Sequence, residues 1–142
     1  MTTITLKQAY TMIEAAFEKG AEMGLKPLTV AVLDAGGHVK ALARSDGASN
    51  LRPKMAIGKA NGCLALGVGG RWVAKNGIDR PHFMTGLIGM DDNGILPVPG
   101  GALVLSDGAI VGAVGITGDT SENDETCAVH GIEAAGFSAQ VE

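Results

Sequence analysis

Apolar positions recur at helical spacing from the start of the chain. Leu6, Ala9, Ile13, Ala16, Phe17 and Gly20 share one stripe, while Lys7, Glu14, Glu18 and Lys19 fall elsewhere on the surface. Thr5-Leu6-Lys7-Gln8 is a capping-box pattern and Gly24 a stop signal, so the spacing predicts a helix over 6–23. The periodicity then changes. LTVAVLD (28–34) and HVKALAR (38–44) read as strands that turn at Ala35-Gly36-Gly37. A second helix follows, with Ser49 or Asn50 as cap and Pro53 in its first turn. Its apolar stripe is Ala56, Ile57, Ala60, Cys63, Leu64 and Gly67. Between 68 and 98 the pattern is less regular. GRWVAKNG and RPHFMTGL read as short helices, MDDNG as a turn, and ILPVPGG as an edge strand interrupted by prolines. A second hairpin joins 102–107 to 109–117 at Asp107-Gly108. Ser121-Glu122-Asn123-Asp124 then opens a last helix that runs to Ala135, with Gly136 as stop.

Tight hairpins make antiparallel pairs and cannot make parallel crossovers, so the fold class is α+β, an antiparallel sheet covered by helices. No repeat or linker interrupts residues 1–142, which are expected to form a single domain. Composition sharpens this. Hydrophobic residues make up 46% of the chain but aromatics only 4%, so the core must be built from small and branched aliphatic side chains. The 22 glycines lie within apolar runs, which points to tight turns and close backbone approach.

The net charge is −4 and no basic residues cluster, which argues against a nucleic-acid partner. No apolar run is long enough to span a membrane, so no membrane partner is expected. The opening MTTITLKQAY lacks the basic and apolar regions of an export signal, so a cytoplasmic location is expected. Cys63 and Cys127 are read as free buried thiols. A positive mean hydropathy with few charges leaves apolar surface to cover, and the expected state is a homo-oligomer, a dimer or larger.

The usual phosphate-binding signatures fail. Gly67-Val68-Gly69-Gly70 has Trp72 where a dinucleotide loop needs its third glycine, and neither a P-loop nor a G-x-S-x-G elbow occurs. The last helix places Asp124, Cys127, Gly131 and Ala134 on one arc, with Glu122, Glu125 and Glu133 on the other side. Asp124 is therefore the acid turned toward the apolar face, either supporting the helix start or facing a site. Lys59 borders the second helix's stripe, seven residues after Arg52, where a lysine ordinarily snorkels to water. Arg44 ends a strand just before Asp46-Gly47. Arg44, Lys59 and Asp124 could then converge into a cradle for a small carboxylate or a tetrapyrrole propionate. Of the histidines, His38 sits by the first turn facing solvent, and His82 lies in the irregular segment. His130 follows Cys127 by three residues, too few ligands for a metal, so none is expected; a lone histidine suffices as an axial haem ligand.

VAVLDAGGHVKALARSDGA (30–48), AIGKANGCLALG (56–67) and PGGALVLSDGAIVGAVGITGDTSENDETCA (99–128) resemble the GlcG/HbpS family, which includes the C-terminal domain of PduO-type proteins. The resemblance covers most of the chain in matching order and is weakest at 68–96. It implies α/β/α layers around a five-stranded antiparallel sheet, assembled as dimers or larger rings. It also implies haem as a cofactor or ligand in some members and small-molecule catabolism in others. The matching positions are Asp34, Gly36, Gly37, Arg44, Asp46, Lys59, Pro99, Gly100, Gly101, Gly118 and Asp124. Haem-binding members use histidines outside these motifs, some near the first helix. That helix has none here, so no haem ligand is carried over.

The expected function is thus binding of a small ligand, haem or a related tetrapyrrole. The alternative is a cofactor-free enzyme on an organic acid, in which Arg44 and Lys59 hold a carboxylate and Asp124 or His130 moves a proton. A third reading is an accessory subunit. Asp46, His82, Pro99, Gly100, Gly101 and Gly118 are the further candidate ligand-binding positions.

Overall fold

The computed structural model describes residues 2–142. In chain order the elements are α1 (Leu6–Glu22), β1 (Thr29–Asp34), β2 (Val39–Arg44), α2 (Arg52–Leu66), α3 (Gly70–Asp79) and α4 (Pro81–Met90). After these come β3 (Gly101–Ser106), β4 (Ala109–Thr117), α5 (Ser121–Ala134) and β5 (Ser138–Gln140). The strands form one antiparallel sheet in the order β2-β1-β4-β3-β5.

Strand alternation sorts the side chains into two cores. Val30, Val32, Ala102, Val104, Val114 and Ile116 face α1 and α5, where they meet Met12, Ile13, Cys127 and Ile132. Leu33, Leu103 and Ala113 point the other way, onto Ala60 and Cys63 of α2. The result is a helix–sheet–helix sandwich, an α+β fold of three layers. Beyond α2, the short helices α3 and α4 enclose a small cluster of Val73, Met84 and Ile95.

Local chemistry accounts for the element ends. Thr5 closes the expected capping box on α1: its hydroxyl accepts from the Gln8 amide at 3.1 Å, and its own amide donates to Gln8 Oε1 at 2.9 Å. Three expectations need correction. The cap of α2 is Leu51, without a side-chain bond, rather than Ser49 or Asn50; Pro53 needs no partner for its nitrogen, and the Arg52 amide reaches Ser49 O at 3.2 Å. The cap of α5 is Thr120, one residue earlier than Ser121, accepting from the Asn123 amide at 3.2 Å. ILPVPGG is not a strand up to Gly100. Pro97 and Pro99 lack donors, and pairing with β4 begins only at Gly101. The strand that reading the residues missed is β5, three residues after the left-handed Gly136 (φ 88°), too short to show an alternation.

Asp119 ties the segment before β1 to the start of α5. Its Oδ2 accepts from the Lys26 amide (3.1 Å), and its Oδ1 from the Thr120 amide (2.9 Å) and Asn123 Nδ2 (2.8 Å). The Asn123 amide and these backbone donors lower its pKa from 3.8 to about 2. A depressed carboxylate adds stability above its ordinary value, and that stability is lost as pH falls through the folded value. Acid unfolding should therefore steepen between about pH 4 and pH 2, and Asp119→Asn should flatten that stretch of the curve. An unchanged curve for the variant would contradict the role given to Asp119.

Candidate functional sites

The sequence placed Lys59, Asp124 and Arg44 around one cradle; the structure brings only two of them together. Lys59 Nζ lies 3.0 Å from Asp124 Oδ2 and donates to Ile116 O at 2.8 Å. The Asp119 amide donates to Asp124 Oδ1 at 3.0 Å. The two side chains are only 3% and 1% exposed. The lysine starts on the α2 layer and passes the end of β3 to reach α5 on the other face, so the pair staples the two helical layers together. Burial drives the Lys59 pKa below and the Asp124 pKa above their ordinary values, and the mutual attraction of the two charges opposes both shifts. A proton carrier must touch its substrate, and this pair is closed on every side.

Gly100 and Gly101 give the lysine its passage. A Cβ at Gly100, whose φ is 117°, would lie 2.8 Å from both Lys59 Nζ and Ile116 O, and one at Gly101 would lie 2.9 Å from Cys63 Sγ. Pro99 precedes them, half-buried. Arg44 points elsewhere, donating to Ala48 O at 2.6 Å, and Asp46 is exposed in the same loop. Arg52 is the guanidinium nearest the staple. It donates to Thr117 Oγ1 at 2.8 Å, beside Gly118, which lines a shallow recess with it.

Glu125, which the helical arc assigned to the solvent side, is buried. It takes Arg71 through two guanidinium nitrogens, Nε at 3.0 Å and Nη2 at 2.6 Å, and Arg71 also reaches Glu142 at 3.2 Å. The reason is α3, whose start packs onto the end of the chain and brings Arg71 over α5; no periodicity within α5 could reveal it. His130 is exposed while Cys127 is buried, so the two do not face a common site. His82 is exposed at the start of α4. Burial pushes the Cys63 and Cys127 thiols up to about 12 and about 11, and both are free. Among the described residues, no three His, Cys, Asp or Glu side chains form a metal cluster. No helix among them is long and apolar enough to cross a membrane.

A recess of about 630 Å3 opens at the β1–β2 turn and was not legible from the sequence. One wall is Gly37, His38 and Val39, another is Lys54 and Ile57 of α2, and the third is the 92–94 turn. Asp34 organises the hairpin wall. Its Oδ1 accepts from the Gly36 and His38 amides at 3.0 Å each and lies 3.2 Å from His38 Nδ1. Burial works to raise the Asp34 pKa, but these amides and the facing imidazole outweigh it and hold the carboxyl below its ordinary value. With Nδ1 on the carboxylate, Nε2 is the ring nitrogen left for a ligand. Asn61, 3% exposed within the α2 stripe, fixes the third wall by donating to Asp91 Oδ1 (3.1 Å) and Gly94 O (2.8 Å). A polar residue inside an apolar stripe was the one sequence signal for this wall; His38 carried only the Asp-x-x-x-His spacing.

Comparison with known proteins gives a consistent picture. An uncharacterised 15.0 kDa protein of Citrobacter freundii, from the dhaT-dhaS intergenic region, is 29% identical over 90% of this chain and 89% of its own length. A double mutant of Streptomyces reticuli HbpS superposes with a TM-score of 0.81 at 28% identity, covering 96% of this chain and 89% of that one. The PduOC–haem complex shares the fold, with a TM-score of 0.86 at 21% identity, over 99% of this chain and all of the other (100%). The family model described as haem degrading protein HbpS-like matches residues 4–133, from the strap before α1 nearly to the end of α5. The chain therefore belongs to the HbpS-like family.

Proposed function

We propose that this protein binds haem or a closely related tetrapyrrole in the recess between the β1–β2 turn and α2, with His38 as the axial ligand. The observation that carries the reading is an imidazole fixed by a carboxylate at the mouth of a 630 Å3 recess, in a chain of the HbpS-like family. The residues present suit the group. Val39 and Ile57 offer apolar wall to a macrocycle, and Lys54 offers a cation to a propionate. The Asp34 carboxylate faces Nδ1 and leaves Nε2 toward a ligand, as partners of metal-bound histidines ordinarily do. When bound, haem supplies iron-centred redox and ligand chemistry, tuned by that axial group. Membership of the family and the haem complex of a protein of the same fold support this reading. The closed Lys59–Asp124 pair gives no support to the enzymatic alternative built on those residues.

Titration of the purified protein with ferric haemin is expected to shift the Soret band with a one-to-one endpoint. His38→Ala should weaken binding by about tenfold or more (~1.4 kcal/mol) and remove the spectral signature of an axial imidazole. Absence of a Soret shift at stoichiometric haemin, or a His38→Ala variant with unaltered spectrum and affinity, would overturn the proposal.

A further inference from the structure

A second recess of about 170 Å3 lies at the opposite end of the sheet, lined by Lys26, Gly47, Ala48, Ser49, Arg52 and Gly118. Arg52 sets its character. Its Nη1 donates to Thr117 Oγ1 and lies 4.0 Å from Met55 Sδ, while Nε and Nη2 have no hydrogen-bond partner among the described residues. The residue is half-buried, yet among the described residues no carboxylate lies within 4.0 Å of its nitrogens or of the Lys26 amine. Of the two acids that adjoin this wall in sequence, Asp119 is engaged by the Lys26 amide, Thr120 and Asn123, and Asp46, next to Gly47, is exposed. Arg44 fixes the far wall by holding Ala48 O. Thr29, directly across the β1–β4 register from Thr117, is fully buried with a hydroxyl that finds no partner. So the polar corner beneath Arg52 is not saturated by the protein itself.

We propose that this recess binds a small carboxylate, held by the free edge of the Arg52 guanidinium. A planar fork with two unused donors matches two carboxylate oxygens, and a half-buried cation without a counter-ion gains more from an anion than an exposed one does. Lys26 adds a second positive charge at the rim. The volume is about six water shares of ~30 Å3, which suits an acid of a few carbons and is far too small for a macrocycle. The site is separate from the His38 recess and stands or falls without it.

The test is a malonate titration of the full chain in chloride buffer of matched ionic strength, read by calorimetry and by the 15N–1H resonance of Arg52 Nε. Saturable one-site binding that moves this resonance is expected. Arg52→Gln should weaken it by about tenfold or more, and Lys26→Ala, at an exposed position, by about threefold. His38→Ala should leave malonate affinity unchanged, whatever it does to haemin. Should Arg52→Gln misfold, Arg52→Lys decides: it keeps the charge, loses the fork, and should still bind malonate more weakly. No saturable response beyond the chloride control, full affinity in these Arg52 variants, or binding of inorganic phosphate without malonate would overturn the proposal.

Discussion

Lys59→Ala is expected to lower the unfolding free energy by ~3–5 kcal/mol, because it leaves the Asp124 carboxylate buried without its cation. Asp124→Ala should cost a similar amount by stranding the amine. The double change Lys59→Met with Asp124→Leu should not add these losses. Burial alone pushes the lysine toward its neutral form and the acid toward its own, so at neutral pH the folded state carries a desolvation cost for both charges. Apolar side chains of similar length remove that cost. They cannot restore everything, since Ile116 O and the Asp119 amide lose the partners that Lys59 and Asp124 supply. The double variant should therefore stay only ~1–3 kcal/mol below the wild type, well short of the ~6–10 kcal/mol to which the two single losses would add. Urea unfolding followed by far-ultraviolet circular dichroism measures the wild type, the two single variants and the double variant. A loss below ~1 kcal/mol for either single variant would mean that the pair is open to water.

That pair also shows how far the sequence reaches. Hydrophobic period and turn residues located five helices and four strands, because these signals act within a few neighbouring residues. Even Lys59 and Asp124 stood out, as charges on otherwise apolar stripes. What failed was anything set by distant segments. The residues pointed to Arg44 as the guanidinium donor, but the loop at 45–49 turns it toward Ala48 O and leaves Arg52 beside Thr117. Glu125 is buried only because α3, far away in the chain, lays Arg71 over it. His38 is the solvent-facing turn residue its position suggested, but nothing local reveals that Ile57 of α2 and the 92–94 turn wall a recess beside it. The five-stranded sheet itself was implied by family resemblance rather than by pattern, as β5 has only three residues.

Gly115→Ala, a single methyl group, should be nearly as damaging as loss of the ion pair. In the register of the sheet, Ala31, Gly115 and Gly101 lie side by side across β1, β4 and β3, a row of small residues on the face that receives α2. The helix answers with Ala56 and Ala60, and its backbone lies in the trough. A Cβ on Gly115 would sit 2.8 Å from Ala60 N and run into Ala56 O. Neither atom belongs to a side chain that could rotate away, so α2 itself must move. The expected cost is ~3 kcal/mol, the upper end of what overpacking a core does. Gly86→Ala on α4 provides the contrast, because its Cβ would meet nothing within 4 Å and the residue is helical. There the change should stabilise by up to ~1 kcal/mol through helix propensity. The Gly115 variant has a functional consequence too. α2 carries Lys54 and Ile57 into one recess and Arg52 into the other, so lifting it should weaken both haemin and malonate binding even at temperatures where the variant is fully folded. Thermal unfolding and the two titrations, run on the same preparation, separate a displaced helix from a merely less stable one.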